Sequence, residues 1–310
     1  VRGILAISLF GLVQLTGGGA TLDDVSPQFG TNVAIVWQAP VNHLPKRFWT
    51  YRRLPQVFSA TAISNGIVLT SFEKKGFPAP STKDTVLLAD HSDMEPHPPY
   101  FAILPRVGEL SFSLGDRSPD SRRDIARDGA AVKRALKCAA LLGVDLGDLV
   151  PTNPASAGID GVFLARQIDG VPFFDNTEGL QIQFGKDGKL RQFALIWPKL
   201  VRDQNFETAS PSEIIRCIRA RKAPLIPVDG ELDYLARIKT LAHAKKLTIT
   251  QIKAYYGEGS FGEDLPVNGP PTQVSPAAKL EGVADFGTNT MSVRLYAPIL
   301  SSDVKRLLRR

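Results

Sequence analysis

One helix pattern followed by three strand patterns recurs three times along this chain, and no other feature restricts its fold as much. The first helix runs from Ser59 to Lys75, with Ser59 placed to cap it and Gly76 and Pro78 to stop it. Gly66 in its middle lowers the helix propensity by about 1 kcal/mol. Strand patterns follow at Thr85–Ala89, Tyr100–Leu104 and Glu109–Leu114, the last alternating with period two. The second helix spans about Asp124 to Leu142, with Ala131, Ala135, Cys138 and Leu142 on one stripe and Gly143 as the terminating residue. Its strands are Val162–Ile168, Gly179–Phe184 and Leu190–Trp197. The third unit opens at Ser210-Pro211-Ser212-Glu213, which supplies an N-cap serine, a proline at the first helical position and a capping-box glutamate. A further helix at Glu231 to Lys245 precedes strands at Leu247–Tyr256, Lys279–Phe286 and Ser292–Ala297. In the first of these, Ile249 and Ile252 break the alternation, as a β-bulge would.

Runs of strands with single helices do not suit a parallel sheet built from βαβ units. The expectation is an α+β protein of three successive units, each one helix packed on a three-stranded antiparallel sheet. The chain has 310 residues; about 150 residues per domain gives about two domains, but the element pattern divides it more finely. The divisions are 1–20 as a signal peptide or N-terminal anchor, 21–58 as an irregular segment with strand-like pieces at Val33–Trp37 and Phe48–Arg52, 59–115, 121–205 and 210–300 as the units, and 301–310 as a basic tail.

Arg2, the apolar run Ile4 to Leu15 and the small residues Thr16 to Ala20 have the order of a secretory signal peptide. The apolar run is too short to span a membrane comfortably, so membrane contact would come only through an uncleaved N-terminal segment. The expected location is extracytoplasmic: secreted, periplasmic or at the cell surface.

The segment Arg166-Gln167-Ile168-Asp169-Gly170-Val171-Pro172-Phe173, the alternating Leu180-Gln181-Ile182-Gln183-Phe184, and Asp187-Gly188-Lys189-Leu190 together resemble PepSY-type domains and the related propeptide domains of secreted metalloproteases. Gln167 and Asp169 to Pro172 fit the first family signature with one residue fewer between Gln and Asp and with Phe173 in place of Val; Asp187 to Leu190 fit the second. The residues themselves read as a turn at Gly170-Val171-Pro172 and a hairpin closed by Asp187-Gly188. The resemblance covers only the middle unit. It implies a small antiparallel sheet against a helix, PepSY- or cystatin-like, acting outside the cytoplasm as an inhibitor, a chaperone-like propeptide or a regulatory binding module, and it carries over no site residue.

Candidate chemistry is sparse. His91, Asp93, Glu95 and His97 alternate, so an extended chain would present two imidazoles and two carboxylates on one side, a set suited to a divalent transition metal. Pro96, Pro98 and Pro99 favour a solvated loop there instead. Cys138 and Cys217 lie at comparable places on helices of successive units and would form a disulfide if their Cα atoms came within about 7 Å; buried free thiols are the alternative. Ser71-Phe72-Glu73-Lys74 and Ser302-Asp303-Val304-Lys305 match Ser-x-x-Lys without the Lys-Thr-Gly that accompanies it in penicillin-recognising enzymes. Gly257-x-Gly259-x-x-Gly262 follows a strand, but the acidic residues and prolines after it do not open the helix a dinucleotide site needs.

Basic residues cluster at Lys46–Arg53, Arg216–Lys222 and the C-terminus, yet 37 Lys and Arg against 31 Asp and Glu give only +6, and no nucleic-acid motif accompanies them. The expectation is a non-enzymatic binding or regulatory module of the cell envelope or exterior, with no cofactor, whose partner is a protein or a cell-envelope polymer. The alternatives are a metal-dependent hydrolase built around His91 to His97 and an oligomeric structural protein.

Overall fold

The computed structural model describes residues 22–70, 86–89, 100–105, 107–113, 129–152, 161–174, 178–185, 187–226, 234–259, 261 and 272–309. In chain order its elements are α1 (Leu22–Val25), β1 (Ala34–Trp37), β2 (Arg47–Leu54), α2 (Ala60–Thr70), β3 (Val86–Ala89), β4 (Tyr100–Leu104), β5 (Glu109–Ser113), α3 (Gly129–Leu141), β6 (Leu149–Thr152), β7 (Val162–Ile168), β8 (Val171–Pro172), β9 (Gly179–Phe184), β10 (Leu190–Ile196), β11 (Lys199–Glu207), α4 (Pro211–Arg219), α5 (Tyr234–Thr240), β12 (Lys246–Glu258), β13 (Gln273–Asp285), β14 (Thr290–Pro298) and α6 (Ser301–Leu307).

These elements form two compact units. Arg53–Leu200 is contiguous, and the segments on either side of it, up to Arg52 and from Val201, make the other. The first is therefore an insertion into the second, and the two are called here the inserted and the outer unit.

The inserted unit is one antiparallel sheet in the order β3-β4-β5-β10-β9-β7-β6, with β8 folded back on β7. Alternate residues of its strands face α2 and α3: Phe101, Ile103, Leu110, Phe112, Leu164, Leu180, Ile182, Phe193 and Leu195 are buried with Ile63, Ala131, Ala135, Cys138 and Leu142 in one core. The helix signals act locally as expected. The Ser59 hydroxyl accepts from the Ala62 amide at 3.0 Å, and the whole expected stripe of α3 is buried. Gly66 has a packing reason: a Cβ there would lie 3.2 Å from the Phe101 ring, so its absence lets α2 approach the sheet. Asn65 on the same helix donates to the Leu141 carbonyl at 2.7 Å, satisfying an end group of α3.

The turn in the middle segment lies one residue earlier than expected. Asp169 and Gly170 both take positive φ, 51° and 77°, as a two-residue hairpin loop of type I′ requires. Val171 and Pro172 pair with Ile168 and Gln167 as β8. The Asp187-Gly188 hairpin joins β9 and β10, with the Gly188 amide donating to the Gly185 carbonyl at 2.8 Å.

The outer unit is a six-stranded sheet, β1-β12-β13-β2-β11, with β14 beside β13. β1 runs parallel to β12, while β12, β13 and β14 are antiparallel. β13 is long enough to meet two partners along one edge: Gln273 and Val274 pair with Arg52 and Tyr51, and Ala277 to Asp285 pair with β14. Helices α4 and α6 pack against β14. Ile214, Cys217 and Ile218 from α4 and Val304 and Leu307 from α6 are buried, as are Leu247, Ile249, Ile252, Leu280, Val293 and Leu295 from the strands. The capping box at α4 is complete, with the Ser210 hydroxyl accepting from the Glu213 amide and the Glu213 carboxylate from the Ser210 amide.

The fold is α+β with antiparallel sheets, but the expectation of three separate helix-on-three-strand units is overturned. The first two helix-and-strand groups share one sheet, because the edge of β5 pairs with the edge of β10, Leu110 opposite Leu195 and Phe112 opposite Phe193. Period-two alternation assigns a strand's faces and says nothing about what its edge pairs with; an unpaired edge is a liability that fusion removes. Fusion also puts both helices over one core. The third group likewise does not stand alone: β1, β2 and β11 join its sheet.

Candidate functional site

The most heavily buried charge among the described residues is Glu178, fully excluded from solvent just before β9. Its Oε1 accepts from Arg53 Nε at 2.8 Å and its Oε2 from an Arg166 terminal nitrogen at 2.9 Å. Arg166 also donates to the Pro198 carbonyl at 2.7 Å, and its guanidinium lies 4.4 Å from the centre of the Trp197 ring. Burial pushes the Glu178 carboxyl up, and the two guanidiniums pull against it. Arg53 is the first residue of the inserted unit and Pro198 lies near its last, so this cluster clasps the two ends of that unit to β7 and β9. Both carboxylate oxygens face guanidiniums and the group is fully buried, which makes it a structural clasp.

The two thiols are also interior. Cys138 in the inserted unit and Cys217 in the outer unit are both free and buried. Burial pushes the Cys138 thiol up against a nearby Arg134, and it pushes Cys217 up to about 12. A thiol at that value is not a nucleophile near neutral pH.

Other singled-out residues fall as follows. His91, Asp93, Glu95 and His97 lie outside the described residues, as do the 1–20 segment and Ser71 to Lys74. Among the described residues no group of three or more His, Cys, Asp or Glu is placed to hold a metal. Ser302 and Lys305 sit on α6. Gly257 is the penultimate residue of β12, and Gly259 bridges Val274 on β13, so this end of the loop is sheet backbone.

The basic cluster at Lys46–Arg53 falls on β2, and two of its cations, Arg47 and Arg52, pair with β11, while Arg53 goes to Glu178. Arg47 hydrogen-bonds Asn205 and pairs with Glu207, Arg52 pairs with Asp203 at 3.3 Å, and Trp49 lies under the Arg202 guanidinium. Thr50 completes this ladder, its hydroxyl accepting from the Gln204 amide at 3.2 Å. Strand β11 gave no sequence signal of its own, because Lys199–Glu207 does not alternate and mixes charges of both signs.

The surface best suited to recognition is the face of β12, β13 and β14 opposite their buried side chains. Its rows follow from the register: Lys253, Lys279 and the buried Tyr296; Gln251, Glu281 and Arg294; Thr248, Val283 and Ser292; Lys246, Asp285 and Thr290. Lys246, Gln251, Lys253, Val283, Thr290 and Ser292 are exposed. A bulge keeps this face in register. Thr250 has no partner of its own in the ladder, and its hydroxyl donates to the Glu281 carbonyl at 3.2 Å.

No known protein-family model and no curated protein sequence matches this chain.

Proposed function

We propose that this protein is a non-enzymatic binding module that works outside the cytoplasm. The observation that carries the reading is the open face of β12 to β14, three long strands that bury the side chains of one face and display hydroxyl, amide, apolar and cationic side chains on the other. A sheet face of this kind recognises by shape and hydrogen bonding. The signal-like order of Arg2, Ile4–Leu15 and Thr16–Ala20 supports the location, and the resemblance of the middle segment to PepSY-type domains is in keeping with a binding role. The partner is a protein or a polymer of the cell envelope. Pelleting of the purified full chain with isolated envelope material and with secreted protein tests this. Saturable binding is expected; absence of saturable binding to both would overturn it.

A further inference from the structure

We infer that the open face of β12 to β14 docks an acidic polysaccharide. This rests on the binding reading and names its ligand class.

The register sets Lys253 directly opposite Lys279. Like charges at opposed positions of an antiparallel pair destabilise it, and this pair has kept them. The nearest carboxylate, Glu281, lies 3.7 Å from Lys279 and 3.9 Å from Arg294. Lys253 has no ion pair among the described residues, nor has Lys246 at the far end of the same strand. Four cations and two carboxylates therefore share the face, and the excess positive charge concentrates at the Lys253–Lys279 row.

Between the cations stand neutral hydrogen-bonding groups: Thr248 and Gln251 on β12 and Ser292 on β14. Successive rows are about 7 Å apart, two residues of strand rise. A chain lying along the strands would meet a cation, an amide, a hydroxyl and a second cation in turn. Sugar hydroxyls match the amide and hydroxyl rows, and uronate carboxylates match the cationic ones. Nucleic acid is the poorer fit, because the Gln251, Thr248 and Lys246 rows carry no aromatic side chain on which bases could stack, and Tyr296 beside Lys279 is buried against Phe261.

The probe is polygalacturonate, with its methyl ester, single-stranded DNA and anionic phospholipid vesicles as the other arms, each titrated against the full chain. Binding to polygalacturonate that weakens from 50 mM to 300 mM salt is expected, with little binding of the ester. Lys253→Gln with Lys279→Gln should weaken it about tenfold, the size expected for two partly screened charge contacts; an unchanged Tm would show that the fold is kept. The assignment is overturned if polygalacturonate is not bound, if the ester, DNA or vesicles bind as well as the acid polymer, or if the double variant binds as the parent does. Saturable envelope binding without polygalacturonate binding would refute this assignment and leave the binding reading standing; loss of both would refute both.

Discussion

Gly282 on β13 faces Ile249 on β12 at the point where β12 bulges, and a Cβ at Gly282 would lie 2.4 Å from the Thr248 carbonyl oxygen. That carbonyl belongs to the backbone and cannot swing away. Gly282→Ala should therefore force the two strands apart and cost about 1–3 kcal/mol, the usual range for overpacking a well-filled site. Urea denaturation of parent and variant reads this as a lower midpoint at unchanged slope; equal midpoints would mean the bulge relaxes freely.

Glu178→Gln keeps the size of the side chain and removes the charge that two buried guanidiniums face. A loss of about 3–5 kcal/mol is expected, because the cations are left without a counter-charge. Replacing Arg53 and Arg166 with Met and Glu178 with Leu together should recover much of that loss, since an apolar set needs no charge pairing. If the triple variant is as unstable as the single one, the cluster is held by shape and not by charge.

Although partial burial works upward on the Glu213 carboxyl, hydrogen bonds from the Ser210 amide, the Ser301 and Ser210 hydroxyls, and the charge of Lys305 hold it below its ordinary value. A lowered carboxyl favours the ionised folded state. Its contribution is fully present above the unfolded value of about 4.3 and is lost as pH falls through the lower folded value. Glu213→Gln cannot titrate, so the stability gap between parent and variant should shrink on going from about pH 5 to about pH 3. A gap that does not change over this interval would contradict the capping-box geometry.

Cys138 and Cys217 should be silent to an aromatic disulfide reagent at pH 8 in the native protein and should both react once it is unfolded. The labelling rate should follow the unfolding rate as denaturant rises. Rapid reaction of either thiol under native conditions would mean that its helix opens locally.

Much of this architecture is legible residue by residue. The stripe on α3, the caps at Ser59 and Ser210, the Asp187-Gly188 hairpin and the broken alternation at Ile249 all rest on interactions within a few residues, and all are present. Edge pairing was not legible, because nothing in Glu109–Ser113 names Leu190–Ile196 as its partner across almost eighty residues. Glu178 was equally silent: a lone glutamate among the turn residues before β9 becomes the most buried charge only when Arg53 and Arg166 converge on it. The open face shows another limit. Lys253 and Lys279 are unremarkable in separate strands and become a like-charge pair only through the register that the bulge sets.

Neighbouring strands β2 and β11 are the two places where the chain leaves and re-enters the outer unit. Synthesis order then matters. The ribosome delivers β1 and β2 first, and their partners β11 to β13 follow only after the whole of Arg53–Leu200 has emerged. The inserted unit is contiguous and can complete its sheet in that interval. By doing so it replaces a long floppy loop with a folded body whose ends are already clasped by Arg53, Glu178 and Arg166, which lowers the closure entropy that β2 and β11 would otherwise have to overcome. The clasp thereby serves as an assembly device: a lesion there should delay maturation of strands to which Glu178 itself does not belong.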